Sequence, residues 1–257
     1  MSSRISRRSL FKTAGAAGVV TIAPSVLPGT SDSAYSADAL GQAVTRPAAI
    51  HSQPITYIFF NLDEVEFIEA AVARLIPADD RWPGALEVGV TNYIDKQMGG
   101  AWGAGERLYR SGPWQAGTPS QGYQLPLTPA ELFRTAIAAI NKELAAKGTP
   151  FAAMTPANQD AYLKELETTD RDLGGAPARE FFAHLWEATV EGFFGDPVYG
   201  GNRDMIAWRM IGFPGAYASY YDVVDKHGIV IDRPPMSLAQ DAMGHVHLDP
   251  NIPPKLP

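Results

Sequence analysis

The segment from Ala178 to Phe194 constrains the fold more than any other stretch of the chain. Phe181, Phe182, Leu185, Trp186, Val190, Phe193 and Phe194 recur at helical spacing and cover more than one face, and Gly195 supplies a stop. A helix that is apolar on several sides must be enclosed by other elements, so this one is expected at the centre of a helical domain.

The neighbours it needs are legible upstream. Asn61 followed by Glu64 is a capping box, and Val65, Ile68, Val72, Leu75 and Ile76 then share a face until Pro77 ends the helix. After the turn Trp82, Pro83, Gly84, a second helix is expected from about Leu86 to Met98, with Val90, Ile94 and Met98 four apart. Thr128, Pro129 and Glu131 open a third helix that carries Leu132, Phe133, Ala136, Ile137, Ile140 and Leu144 toward Gly148. Thr155 and Pro156 open a shorter, more polar helix with Tyr162, Leu163 and Leu166. Between Gly99 and Gln124 the chain is rich in Gly, Pro and aromatic residues, which predicts an ordered loop packed by Trp102, Tyr109, Trp114 and Tyr123. No stretch alternates at period two. The fold class is therefore mainly α: a single helical domain over residues 56–257 with long ordered loops and an extended, Pro-rich C-terminal tail.

The N-terminus carries an address. Arg7 and Arg8 follow Ser6 and precede Leu10, Phe11 and Lys12, the order of a twin-arginine export signal. The weakly apolar stretch from Thr13 to Ala23 is too short for a hydrocarbon core, which needs about 20 apolar residues. Residues 1–39 are expected to be the signal peptide, cleaved near Ala39 after the small-x-small pattern of Ala37, Asp38 and Ala39, and residues 40–55 a linker. This places the chain in the periplasm. Because the twin-arginine route carries folded proteins, the chain is expected to fold or assemble before it leaves the cytoplasm.

Composition narrows the chemistry. A net charge of −7 argues against a nucleic-acid partner, which requires a concentrated positive surface. With no cysteine, the chain has no disulfide, thiolate metal site, cysteine-ligated iron–sulfur cluster or c-type haem attachment. Gly100 to Gly105 has the wrong spacing for a dinucleotide loop, places Trp102 where a pyrophosphate needs close backbone approach, and reads as a glycine-permitted turn. His245, His247 and Asp249 are metal-ligand types, but they lie among Gly244, Pro250, Pro253 and Pro254 and read better as an extended tail docked on another protein. His184 reads as a core histidine, while His51 and His227 have no discernible partner. The acidic pairs Glu64 and Glu66, Glu165 and Glu167, and Asp79 and Asp80 read as solvated surface. No catalytic, cofactor-binding or metal residue is assigned, and autonomous catalysis is not expected.

One segment has the look of a presentation loop. Asp196 and Pro197 leave the apolar helix, Gly200 and Gly201 permit tight backbone geometry, and Asn202 can hold a turn through its side chain. Tyr199 and Trp208 are the natural partner contacts, and Gly200, Gly201, Asn202 and Phe213 complete the expected interface; the other reading is that both rings pack internally and the glycines only turn the chain.

The run Glu191, Gly192, Phe193, Phe194, Gly195, Asp196, Pro197, Val198, Tyr199, Gly200, Gly201, Asn202, followed by Asp204, Trp208 and Ile211 to Gly215, resembles the signature of the gluconate 2-dehydrogenase subunit 3 family. Leu75 to Pro77, Pro83 to Ala85, Val90 to Ile94 and the leader resemble it too. The resemblance implies a non-catalytic small subunit of a membrane-bound, periplasmic-facing dehydrogenase of sugars, polyols or sugar acids. It implies a large FAD-bearing partner of the glucose-methanol-choline type, often with a membrane-anchored multihaem cytochrome c. FAD and haem c would then sit on partner subunits, with no cofactor on this chain. The resemblance further implies that this leader, read by the twin-arginine translocation machinery, serves the large subunit as well. The other reading is a stand-alone periplasmic sugar or polyol binder with a pocket formed by Trp102, Trp114 and Tyr123.

Overall fold

The computed structural model describes residues 55–115, 117–216, 223, 225–230 and 234–238. Within them lie six α-helices: α1 Leu62–Leu75, α2 Val90–Met98, α3 Pro129–Ala146, α4 Pro156–Thr168, α5 Ala178–Phe194 and α6 Ile206–Ile211. No strand occurs among the described residues, where extended pairing is limited to the isolated bridges Asp172 with Pro177 and Gly215 with Met236. The residues read as an export leader, most of those read as a linker, and the tail residues His245, His247 and Asp249 lie outside the described residues.

The helix starts follow from local chemistry. Asn61 Oδ1 accepts from Glu64 N at 3.0 Å while Glu64 Oε2 accepts from Asn61 N at 2.9 Å. Thr128 and Glu131 repeat this reciprocal bond at α3, and the Thr155 side chain caps α4. The second helix begins later than its apolar spacing indicates. Residues 85–89 form turns, and Gly89, at φ 83°, is the left-handed N-cap from which α2 starts at Val90.

α5 occupies the centre and packs on α1, α2, α3, α4 and α6. Its fully enclosed positions are Ala178, Phe181, Leu185, Ala188, Thr189, Gly192 and Phe193, while Phe182, Trp186, Val190 and Phe194 are only partly covered. Around it aliphatic side chains of the other helices pack together with a series of aromatic rings. Phe181 meets Phe133 at 5.3 Å and Phe67 at 6.1 Å, and Phe67 meets Phe151 at 4.9 Å. Burying each such side chain contributes about 1.5–3 kcal/mol.

Two acidic groups are buried, and the first departs from its solvated reading. Glu64 is buried rather than exposed, because besides capping α1 it pairs with Arg134 at 3.3 Å. Asp95 on α2 is fully buried and accepts three successive backbone N–H groups, from Ile58, Phe59 and Phe60, at 2.7, 3.0 and 2.8 Å. The Arg134 guanidinium lies over the Phe59 ring at 4.3 Å and donates to the Phe59 carbonyl at 3.0 Å. The segment entering α1 is thus clamped to α2 and α3.

Candidate partner-docking site

The loop between α5 and α6 is held from both ends. Gly195 caps α5, and Asp196 Oδ1 accepts from Val198 N at 2.9 Å to set the short 3₁₀ turn Pro197–Tyr199. Gly200, at φ 100°, ends that turn, and its carbonyl accepts from Asn92 Nδ2 of α2 at 2.9 Å. Gly201 then runs backbone to backbone against α5: a Cβ there would lie 2.1 Å from the Gly192 carbonyl oxygen. Gly192 is in turn covered by the Tyr93 ring, 2.7 Å from where its own Cβ would be. Each side of this crossing therefore requires glycine.

Asn202 is the staple. It is fully buried, with Nδ2 donating to the Gly195 carbonyl and Oδ1 accepting from Ala207 N, both at 2.9 Å. One amide thereby joins the end of α5 to the first turn of α6. Asn202, Asp204 and Met205 have φ of 43°, 54° and 54°, left-handed values that cost L-residues energy and persist where surrounding bonds over-determine them.

Trp208 faces inward. It is 5% exposed and its Nε1 donates to the Phe194 carbonyl at 2.6 Å. Phe213 packs edge-on against it at 5.1 Å between ring centres. Downstream, Ala216 N donates to the Met236 carbonyl at 2.6 Å and Met236 N to the Pro214 carbonyl at 3.1 Å. Leu238 N donates to Asp196 Oδ2 at 2.8 Å. Residues 236–238 thus brace the outside of the loop.

Of the six interface candidates, Gly200, Gly201, Asn202 and Trp208 are buried and form the frame, whereas Tyr199 and Phe213 are 53% and 45% exposed. Ile211 and Leu238 join them at the surface, 57% and 58% exposed. Ile211 entered the sequence reading only as part of the family-like run and Leu238 not at all, since an isolated aliphatic side chain has no signature of exposure. Asn92 was equally silent, because its partner lies 108 positions away. Below the loop, Tyr93 donates to Glu191 at 3.0 Å, and burial followed by that carboxylate raises the Tyr93 pKa above the ordinary tyrosine range.

The loop after α2 is packed by fewer aromatics than its composition implies. Trp102 and Tyr123 lie against His184, at 6.2 and 5.1 Å, while Tyr109 is 80% exposed. His184 is only partly buried, with Nδ1 3.0 Å from the Glu180 carbonyl, and is not a core residue. The Tyr123 hydroxyl donates to the Leu127 carbonyl at 2.7 Å, and burial pushes its pKa up to about 12. An open groove of about 420 Å³ exists elsewhere, lined by Lys147, Met154, Tyr162 and Glu165 among others, and none of Trp102, Trp114 or Tyr123 contributes to it. Among the described residues no three His, Asp or Glu side chains are grouped to hold a metal ion, and no helix is long and apolar enough to cross a membrane.

By its fold the chain is a small, mainly α-helical protein with a braced loop between its last two described helices. Residues 62–215 match the family described as gluconate 2-dehydrogenase subunit 3, and the chain belongs to that family. The matched span runs from the start of α1 to Gly215 and so contains the whole loop. No curated protein and no solved structure matches the chain.

Proposed function

We propose that this chain is the non-catalytic small subunit of a periplasmic-facing, membrane-bound flavoprotein dehydrogenase of the gluconate 2-dehydrogenase type. It assists folding, export and assembly of a large FAD-bearing subunit of the glucose-methanol-choline type, in a complex of a kind that often also takes a multihaem cytochrome c. Membrane association comes through these partners. The observation that carries the reading is the α5–α6 loop. The side chains of Asn202 and Trp208 are bonded internally, and the surface beside them exposes Tyr199 of the loop, Ile211 and Phe213 at the end of α6 and Leu238 of the bracing segment. Apolar and aromatic side chains on a rigid frame suit protein association, because little conformational entropy is lost on docking. The Arg7–Arg8 leader supports export by the twin-arginine route, with the large subunit carried alongside.

The test is co-expression of both subunits followed by fractionation and affinity capture of this chain. A yellow flavoprotein should co-purify from the periplasmic face. Arg7→Lys with Arg8→Lys should leave both chains in the cytoplasm. A flavoprotein that reaches the periplasm without this leader would remove the export role, and a chain purified alone and colourless would remove the subunit role.

A further inference from the structure

We propose that residues 102–115 form a second docking surface, one that receives a carboxylate-bearing face of the same large subunit; this rests on the subunit reading above. The base of this loop is fixed. Gly103 N donates to the Gln97 carbonyl at 2.9 Å, and the Gly103 carbonyl accepts from Ala130 N at 3.1 Å, tying the loop to the end of α2 and the start of α3. Trp102 rests against His184 of α5.

From that base Tyr109 stands 80% exposed between Arg107 and Arg110, which are also exposed. Arg110 reaches Glu131 only at 3.9 Å, with both side chains open to solvent, and such a pair is worth little. Most of its five N–H donors remain available. Arg107 makes no ion pair among the described residues. Tyr and Arg are among the residue types that dominate interface energetics, and Tyr109, Arg107 and Arg110 are exposed rather than spent on the chain's own core.

Charge selects the occupant. Residues 99–125 hold Arg107 and Arg110 against Glu106, in a chain whose net charge is −7. Arg107 and Arg110, with Glu106 and Glu131 beside them, are the exposed guanidinium groups of this surface, and bidentate pairing with a partner carboxylate would fix its orientation. Two arginines contribute about 1 kcal/mol each at an anionic membrane, too little to hold an acidic body there. His184, under the loop, and Phe194, under Trp208, are ten positions apart on α5, about 15 Å along the helix.

The experiment measures affinity of the purified chain for the large subunit at about 50 and about 500 mM NaCl. Arg107→Glu with Arg110→Glu, and separately Tyr109→Ala, should each weaken binding at least about tenfold, and the double variant should lose most of the salt dependence. Melting temperature of the isolated chain should not change. Variants that bind like wild type, with the same salt dependence, overturn the proposal while leaving the subunit reading intact. A wild-type chain that captures no large subunit defeats both. Vesicles of phosphatidylcholine with about one quarter phosphatidylglycerol provide the remaining arm. Binding to them that is lost in the double variant, with the complex unaffected, reassigns the loop to a membrane and overturns the proposal.

Discussion

The indole N–H of Trp208 donates to the carbonyl of Phe194 across 2.6 Å, so a side chain of α6 satisfies one of the orphan carbonyls at the end of α5. Trp208→Phe keeps a ring in place but strands that carbonyl, at a cost of about 1 kcal/mol or more. Trp208→Ala also opens a cavity and should cost roughly 3–5 kcal/mol. Urea denaturation of the isolated subunit measures both, and a melting curve unmoved by Trp208→Ala would contradict the frame described for the loop.

Tyr199 and Phe213 lie on the other side of that frame. Tyr199→Ala should shift stability by no more than about 0.5 kcal/mol, as for other exposed positions, while weakening capture of the large subunit by about 2 kcal/mol. Calorimetry of the free chain and titration against the partner separate the two effects. Strong destabilisation with unchanged capture would make Tyr199 a packing residue.

Asp95 gathers the amides of Ile58, Phe59 and Phe60. Asp95→Ala leaves three donors without an acceptor, at about 1–3 kcal/mol each for those that stay buried. Hydrogen exchange at these amides should rise well above that of the α3 core. Protection equal to wild type would mean that another group holds the segment.

A methyl group at Gly201 would sit 2.1 Å from the Gly192 carbonyl, a backbone atom that cannot step aside. Gly201→Ala should therefore cost about 3 kcal/mol or more, whereas Gly148→Ala, at φ 70° with open space around it, should cost only about 1–2 kcal/mol. Equal melting temperatures for the two variants would rule out the close crossing of the α5–α6 loop over α5.

Glu143 is held below the ordinary carboxylate range by the hydrogen bond from Lys147 and then by the nearby Arg171 charge. Glu131 is lowered by the Thr128 backbone N–H and then by the Thr128 side chain. Depressed folded-state values mean that both groups stabilise the protein above the unfolded glutamate pKa of about 4.3, and that this contribution is lost as pH falls through the folded values. Melting temperature should drop as pH falls below the unfolded glutamate pKa of about 4.3, and Glu143→Gln with Glu131→Gln should flatten that limb. An unchanged acid limb in the double variant would assign the loss to other carboxylates.

The helix starts at Asn61, Thr128 and Thr155 and the central place of α5 were determined by sequence alone, because capping joins residues three apart and an apolar helix must be enclosed whatever surrounds it. Tertiary structure decided the rest. α2 starts at Val90 because Gly89 takes a left-handed conformation, which spacing of apolar residues does not report. Glu64 and Asp95 are buried because Arg134 and the amides of residues 58–60 come to them from other elements. Tyr199 and Trp208 are both aromatic residues in a glycine- and proline-rich segment, and nothing local distinguishes them. Trp208 turns inward because its N–H finds a free helix-end carbonyl and Asn202 sets the start of α6, while Tyr199 sits on a turn aimed at solvent. That choice depends on which unsatisfied groups meet in space, which only the packed chain brings together.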